Sequence, residues 1–436
     1  MQTCDLILNA PYIVTQDEER HILKSHALAI AKDKIIGIGP SEQICTNFQP
    51  KFTYDLKDCM ILPGLINAHT HVAMTFLRGF ADDLPLMQWL QTKIFPIEAK
   101  LSSEIVRLAT RLGLAEMLRT GTTSCLDMYL FEQDILAEAQ MVGFRLGAGE
   151  GVFMFPSCSS ANYQTALDIT KSMAKSVQEP CQVFVAPHSI YTTTKDILAQ
   201  CLDVAKSEKL PLHIHLAETK SETEQAQTNW QMRPIPYSKE LGLLDHPSTL
   251  AHVVDVDAAD LEILAASKNA VVVHNPSSNL KLASGLAKIP QMLELNIPVA
   301  LGTDGAASNN QLNMFAEMRL AALIHKVSAE DPTVLPAQTV LDLATINGAK
   351  ALHNPQIGSL KVGFKADLIA LDLTCPNMQP MFKPTSQIVY AASGHEVCFT
   401  MVNGKILYDH GEFTTIDYDD LLEEVEDIKS FVLKSI

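Results

Sequence analysis

The sequence predicts an α/β protein, a (β/α)8 TIM barrel that carries a small β-sandwich domain built from both chain ends. Two observations predict this fold. Within about residues 63–355, eight short apolar runs alternate with segments of helical spacing, the count that such a barrel needs. The two ends of the chain contain other β-like runs, broken by Gly and Asn, and they look alike and unlike the middle.

The barrel prediction depends on the apolar runs, each of strand length. Segments with helical spacing separate them, such as 103–120 and 195–208. The eight predicted strands are 60–66, 123–127, 144–149, 182–186, 212–216, 249–252, 270–274 and 299–301.

The terminal regions predict a second domain. Strand-like runs occur at 5–14, 26–39, 361–373 and 387–407, and chain ends often lie close together. We expect residues 1–62 and 356–415 to form the β-sandwich, 63–355 the barrel, and 416–436 a C-terminal helix. That helix should pack on the body of the protein through one apolar face, which comprises Leu421, Leu422, Val425, Ile428, Phe431 and Val432.

Composition excludes several classes of protein. The formal net charge is −17, which disfavours nucleic acid and anionic membranes as partners. The nine cysteines include no CxxC pair, which argues against a zinc ribbon or a disulfide framework. There is no signal-peptide pattern and no long uninterrupted apolar stretch. We expect a cytoplasmic enzyme with a small-molecule substrate, and a homo-oligomer, either a dimer or a tetramer.

The first predicted barrel strand leads into an HxH motif, PGLINAHTH. His69 and His71 are two residues apart, so on a strand they face the same way and can bind one metal ion. Taken alone, the motif is weak, because such histidines are more often surface or core residues.

The fifth and eighth strands also end in polar residues. The fifth reads PLHIHLAE, where His215 ends the strand, Glu218 follows, and His213 is expected to be a hydrogen-bonded core residue. The eighth reads ALGTDGAASNN, where Asp304 follows the strand. A carboxylate leaving an apolar strand is costly unless it is bound, so a metal is the natural partner; a helix N-cap is the alternative.

Histidines end three further strands, and together these polar groups mark the face of a TIM barrel that carries the active site. They are His188, His252 and His274. Three histidines and one carboxylate leave a position open for water, which is typical of a catalytic zinc or ferrous site, with a water pKa of about 7. Asp304 can take the proton of that water, Glu218 can carry a proton to the substrate and leaving group, and His252 can hydrogen-bond the hydroxide. The predicted ligands are His69, His71, His215 and Asp304.

Six segments carry a family resemblance in a conserved order: PGLINAHTHVAMTFLRGFADDLPLMQWLQ, APHSIYT, HIHLAET, HNPSSNLKLASG, LGTDGAASNN and GSLKVGFKADLIALD. Over nearly its whole length, the chain resembles the 5-methylthioadenosine/S-adenosylhomocysteine deaminases of the amidohydrolase superfamily. The HxH motif and the strand-end Asp are typical of the superfamily. The narrower segment RGFADDLPLMQWLQTKIFPIEAKL points to its deaminase and chlorohydrolase branch.

The resemblance implies the same four metal ligands and assigns substrate contacts. Glu98 would bind the ribose hydroxyls, and Glu218 would protonate ring nitrogen N1 while hydroxide attacks C6. Ammonia would leave, giving an inosine-type product. Trp89 and Phe95 either wall the ring pocket or have a structural role. The implied substrate-binding residues are Glu98, His188, Glu218 and Asp304, and the catalytic residues are Glu218, His252 and Asp304.

The fourth predicted strand indicates the number of metals. Two-metal members of the superfamily often bridge their ions with a carboxylated lysine there, and QVFVAP contains no lysine. We therefore expect one divalent metal per chain, Zn²⁺ first, with Fe²⁺ compatible with the same ligands.

One departure from the family bears on substrate choice. Members often carry an arginine shortly after the third strand, where this chain has Glu150. An arginine would suit the carboxylate of a homocysteine tail and a glutamate would not, so we expect methylthioadenosine or adenosine to be preferred over S-adenosylhomocysteine.

Two other functions fit the same motifs. Fold and metal site do not fix the substrate, so guanine-type deamination or triazine dechlorination remains an alternative. A scaffold protein that has lost catalysis is the second, but the complete set of ligands, with Glu218 and His252, argues against it.

Overall fold

The structure is a computed structural model that describes residues 1–435. Strands from both chain ends form one hydrogen-bonded sheet of nine strands. It contains β1 (Gln2–Val14), β2 (Ile22–Ala31), β3 (Lys34–Pro40), β4 (Phe48–Asp55), β5 (Cys59–Pro63), β16 (Leu368–Asp372), β17 (Val397–Val402), β18 (Lys405–Asp409) and β19 (Glu412–Phe413). The junction of the two ends is the antiparallel pairing of β5 with β16.

The middle of the chain supplies short parallel strands, most of them buried along their whole length, as expected where helices cover a parallel sheet. They are β6 (Leu65–Thr70), β7 (Thr122–Asp127), β8 (Arg145–Ala148), β9 (Gly151–Val152), β10 (Gln182–Val183), β11 (Ala186–Pro187), β12 (Leu212–Leu216), β13 (Ser248–His252), β14 (Ala270–His274) and β15 (Val299–Leu301).

These strands occupy eight positions around a barrel, two of which are interrupted. Strands β6, β7, β8 and β10 pair in parallel, as do β12 to β15, and β9 pairs with β11. A parallel bridge from Val185 to Leu212 joins the two groups. The Asp304 amide donates to the carbonyl of His69 at 3.0 Å, which connects the segment after β15 to β6. The fold is the predicted (β/α)8 barrel with a β-sandwich formed by both ends.

Helices surround the barrel and cover the terminal sheet. They are α1 (Ser41–Asn47), α2 (Leu86–Trp89), α3 (Phe95–Glu98), α4 (Ser103–Arg119), α5 (Glu132–Val142), α6 (Tyr163–Ser176), α7 (Lys195–Glu208), α8 (Lys220–Trp230), α9 (Pro234–Glu240), α10 (Ala258–Ala266), α11 (Pro276–Lys281), α12 (Ile289–Glu294), α13 (Ala306–Asn309), α14 (Met314–Ala329), α15 (Ala337–Ala344), α16 (Ile346–Ala351), α17 (Pro384–Ser386) and α18 (Tyr418–Ser435). Within residues 1–435, no helix combines the length and apolar character needed to cross a membrane.

The first predicted barrel strand, 60–66, is wrong as a single strand. The chain leaves the terminal sheet at the end of β5 and enters the barrel at the start of β6, with Gly64 between them. A Cβ on Gly64 would lie 2.0 Å from Oγ1 of Thr123, so only glycine fits this crossing. The barrel strand therefore extends to Thr70 and reaches the HxH motif itself.

Two other local predictions are also wrong. The run IVYAAS within 387–407 is not a strand: a helical turn spans Gln387–Ala391, directly after α17. Pro384 begins that segment, and Pro is favoured in the first turn of a helix. On α18, Leu422 is exposed, whereas Leu421, Ile428 and Val432 are buried against the body.

The C-terminal helix packs against α4, α3 and the segment that follows β6. Phe431 lies 6.4 Å, ring to ring, from Phe76, and Lys100 Nζ donates to the Ser435 carbonyl at 2.7 Å. The predicted helix includes Ile436, which lies outside the described residues. The domain limits predicted at residues 62, 356 and 416 stay predictions.

Candidate active site and metal centre

The predicted functional residues meet at the carboxyl ends of the barrel strands. His69 lies near the end of β6, His215 in β12 and His252 at the end of β13. Asp304 follows β15 by three residues. Because parallel barrel strands all end at one face, residues distant in sequence converge there.

Four of these groups form a compact cluster that could hold a metal ion. One ligand atom from each of His69, His215, His252 and Asp304 lies within 4.8 Å of the others. His71, which is predicted as a ligand in place of His252, also reaches the cluster. Its Nε2 is 3.2 Å from Asp304 Oδ1 and 3.3 Å from Nε2 of His215.

The chemistry of this cluster fits a bound cation. Nε2 of His69 is buried and has no hydrogen-bond partner in residues 1–435, although it lies 3.4 Å from Asp304 Oδ1. A buried polar nitrogen without a partner is costly, and a metal satisfies it. Three imidazoles and a carboxylate are the donor types of catalytic zinc sites.

The outer nitrogens of the candidate ligands are fixed by neighbours. Nδ1 of His69 lies 2.9 Å from Nε2 of His213, which is fully buried, as expected of a core histidine. Nδ1 of His71 interacts with the Met128 carbonyl, and Nδ1 of His215 is 2.8 Å from the His188 carbonyl. Such contacts select the tautomer that leaves Nε2 free to bind a metal.

Asp304 is held by several donors. Its Oδ2 accepts from Ser278 Oγ at 2.6 Å and from Ser308 Oγ at 3.2 Å, and its Oδ1 accepts from the Gly305 amide at 2.8 Å. Burial opposes ionisation, but the adjacent imidazoles of His69 and His71 hold the pKa of Asp304 well below its usual range.

The histidine pKa values also suit ligation. Burial lowers the pKa of His69 to about 4 and that of His215 well below its usual value, so both imidazoles are neutral at pH 7, the form that binds metals. His71 differs: burial alone would lower its pKa, but Asp304 raises it to about 9. A bound cation would compete with that proton for Asp304 and Nε2.

Glu218 and His252 lie beside the cluster. Oε2 of Glu218 is 4.0 Å from Nε2 of His252, which is itself 4.0 Å from Asp304 Oδ2. Ser284 Oγ donates to Oε1 of Glu218 at 3.1 Å. Nδ1 of His252 lies 2.8 Å from Asn279 Oδ1, so the imidazole can donate there and present an unprotonated Nε2 to the site.

A pocket opens directly above these groups. Its walls are mostly apolar and aromatic and include Trp89 and Phe95, with His188 also at the wall. Glu98 lies in the same pocket, where its Oε1 accepts from the Tyr129 hydroxyl at 2.6 Å. No lysine or arginine lines this pocket in the part of the chain that the structure describes.

The structure overturns the argument based on Glu150. That side chain is fully buried and does not line the pocket. Its carboxylate accepts from the Glu132 amide at 2.9 Å and from Ser159 Oγ at 2.5 Å, and burial raises its pKa to about 7. Glu150 therefore supports the start of α5 and does not face a substrate tail.

Several polar groups of the site escaped sequence reasoning. Ser278, Ser308, Ser284, Asn279 and Tyr129 contact the predicted residues. The serines and the asparagine are of types common in loops and helix ends, and a single tyrosine has no spacing that marks it as a site residue. The only available signal was the density of polar residues in HNPSSN and TDGAASNN, directly after two barrel strands.

Comparisons with known proteins agree with this geometry. The sequence pattern of the amidohydrolase family matches residues 60–407. A 5-methylthioadenosine/S-adenosylhomocysteine deaminase from Lawsonia intracellularis is 53% identical, over 100% of this chain and 99% of its own length. An adenosine deaminase from Xanthomonas campestris, solved with bound zinc, is 34% identical with a TM-score of 0.97, covering 99% of both chains.

A more distant structure shows the fold alone. Atrazine chlorohydrolase from Arthrobacter aurescens, complexed with zinc, is 21% identical with a TM-score of 0.90, covering 97% of this chain and 99% of that one. The assignment to one family within the amidohydrolases rests on the whole-length match to the Lawsonia enzyme. The chain belongs to the amidohydrolases and, within them, to the 5-methylthioadenosine/S-adenosylhomocysteine deaminase family.

Proposed function

We propose that this protein is a hydrolytic deaminase that converts 5′-methylthioadenosine, and also adenosine or S-adenosylhomocysteine, to the inosine-type product and ammonia. The observation that carries the proposal is the position of Glu218 and Glu98 in one pocket with the histidine and aspartate cluster. The names of relatives at about 50% identity support the same substrate class.

We assign one divalent ion, Zn²⁺ first and Fe²⁺ second, to this cluster. When bound, such an ion lowers the pKa of a water molecule and supplies a nucleophile at neutral pH. The end of β11 carries Pro187 and no lysine, so a second, lysine-bridged ion has no ligand there. The residues that would hold the ion are His69, His71, His215 and Asp304.

Three side chains would move or hold protons during the reaction. Asp304 would accept the proton of the attacking water, and its ionised state at pH 7 suits that task. Glu218, in its protonated form, would protonate ring nitrogen N1. It would then take the proton of the hydroxyl added at C6 as the carbonyl forms and pass it to the amino group, which leaves as ammonia. The proton held by Asp304 would return to Glu218. His252, with Nε2 available, would orient the nucleophile by a hydrogen bond.

The remaining pocket residues would select the substrate. Glu98 would accept hydrogen bonds from the ribose hydroxyls, and His188 would contact the nucleoside. The apolar walls and the lack of a lining cation suit a methylthio group better than a homocysteine carboxylate. The preference for methylthioadenosine over S-adenosylhomocysteine therefore stays a prediction. Its reason is now the lining of the pocket and no longer Glu150.

The rival reactions would use the same metal ligands. A guanine-type deaminase or triazine chlorohydrolase has no ribose for Glu98 to bind, so the role of Glu98 separates these functions. We also infer a cytoplasmic enzyme that does not bind nucleic acid, on the basis of the −17 net charge and the unpaired cysteines. The homo-oligomer, a dimer or a tetramer, stays a prediction.

Ammonia release from a substrate panel tests the proposed function. With metal-analysed protein, we expect turnover of methylthioadenosine and adenosine, slower turnover of S-adenosylhomocysteine, and none of adenine, guanine or a chlorotriazine. Activity confined to free bases or the triazine would contradict the nucleoside assignment. Equal kcat/KM for S-adenosylhomocysteine and methylthioadenosine would contradict only the argument from the pocket lining.

Replacing Glu218 tests its role as the proton carrier. Glu218→Gln should lower kcat roughly 100- to 10,000-fold, because general acid–base catalysis contributes that much, while zinc content stays at one per chain. Glu224→Gln, an exposed change on α8, is the matched control and should be fully active. Retained turnover in Glu218→Gln would remove this residue from the mechanism.

Replacing Glu98 tests nucleoside recognition. Glu98→Ala should raise KM for nucleosides about tenfold, which corresponds to ~1.4 kcal/mol of lost binding. The exposed Glu104 provides the control, as Glu104→Ala should leave KM unchanged. If KM stays at the wild-type value for Glu98→Ala, the ribose contact is wrong.

A further inference from the structure

The turn that carries Glu218 has an unusual backbone. Between the end of β12 and Glu218, Ala217 adopts the left-handed region with φ 52°. The Ala217 carbonyl accepts from the amides of Val254 and Asp255, both at 2.9 Å. Left-handed backbone is unfavourable for residues with a Cβ, so surrounding contacts must hold it in place.

The side chain of Glu222 supplies such contacts. Its Oε1 accepts from the Ala217 amide at 2.9 Å, and its Oε2 accepts from the Glu218 amide at 2.8 Å. Successive backbone N–H groups around a left-handed residue form a concavity that binds oxygen acceptors, and the two carboxyl oxygens of Glu222 fill it. Glu222 is only 4% exposed, so water cannot readily replace it.

The position of the Glu218 carboxylate depends on the backbone of this turn. In residues 1–435, its carboxylate has one side-chain donor, Ser284 Oγ at 3.1 Å, while Nε2 of His252 is 4.0 Å away. A side chain held at its tip by one hydrogen bond takes its position mainly from its backbone. A displacement of about 1 Å in a catalytic group can cost roughly 100-fold in rate.

We propose that Glu222 is a positioning residue for the reaction: by binding the amides of Ala217 and Glu218, it holds the carboxylate of Glu218 against the substrate. This inference rests on the proposed function, because the role of Glu218 does. Glu222 does not touch the pocket and so is not itself catalytic.

A second helix of the barrel provides a matched control. Glu222 is the third residue of α8, and Asp260 is the third residue of α10. Both are buried acids that accept backbone N–H groups at a helix start, but Asp260 binds the Asp257 amide and Arg233 and has no contact with the pocket. A merely structural role for Glu222 predicts that both substitutions behave alike.

The test compares Glu222→Gln, Asp260→Asn, Glu218→Gln and the double variant Glu218→Gln/Glu222→Gln. Glu222→Gln keeps the shape of the side chain but leaves one acceptor oxygen, so one of the two amides loses its partner. We expect Glu222→Gln to lower kcat roughly 10- to 100-fold, with unchanged KM, zinc content and product binding by calorimetry. Asp260→Asn should lower the thermal midpoint and leave kcat unchanged.

The double variant is decisive, since residues that act through one another are not additive. Its kcat should equal that of Glu218→Gln. Wild-type kcat in Glu222→Gln, or a further equal loss in the double variant, would overturn the proposal. If Glu222→Gln does not fold, Glu222→Asp replaces it, since its shorter carboxylate cannot span both amides. Wild-type protein inactive on all nucleosides would instead refute the proposed function.

Discussion

The buried carboxylate of Asp304 is the interaction on which the site depends. A charge in a barrel interior is stable only when opposite charge or hydrogen bonds compensate for lost water. The hydroxyls of Ser278 and Ser308 and the Gly305 amide donate hydrogen bonds to the carboxylate. Its Oδ1 also faces the imidazoles of His69 and His71. This ionised aspartate, with the buried imidazoles beside it, forms a group of donors that could hold a metal ion.

The barrel brings these groups together at some cost in backbone strain. The Asp304 amide binds the His69 carbonyl, so the segment after the last strand lies beside the first strand. His252, Val253 and Asp304 all have positive φ, at 75°, 47° and 63°. Such conformations cost about 1–3 kcal/mol each and are concentrated at functional sites, where surrounding contacts hold them. Here they turn the chain at the strand ends, where the site is built.

Sequence reasoning located the site because its signals are periodic and local. Apolar runs predicted strands 212–216, 270–274 and 299–301 at the observed bounds. His215 and Asp304, at two of these strand ends, line the pocket, whereas His274 at the third lies 3.0 Å from His325 and does not reach the pocket. The break at Gly64 was missed because apolar residues continue across it while the chain changes sheets. IVYAAS was misread because β-branched residues also pack well in a buried helical turn.

Side-chain direction was the harder problem. Glu150 stands near a site position in the sequence, yet its side chain turns toward α5. The partners of the site, such as Asn279 on His252 and Glu222 on the turn before Glu218, lie on different elements or beyond a helix start. Their roles depend on three-dimensional contacts that no spacing rule encodes, so only the structure identifies them.

The identity of the fourth ligand tests the account most directly, because His71 and His252 both reach the cluster. Anomalous diffraction from zinc-loaded crystals, measured on both sides of the zinc absorption edge, locates the ion. The account predicts one peak per chain, about 2.0–2.2 Å from His69, His71, His215 and Asp304, with His252 outside ligand distance. A peak ligated by His252 in place of His71, or a second peak in the cluster, would contradict it.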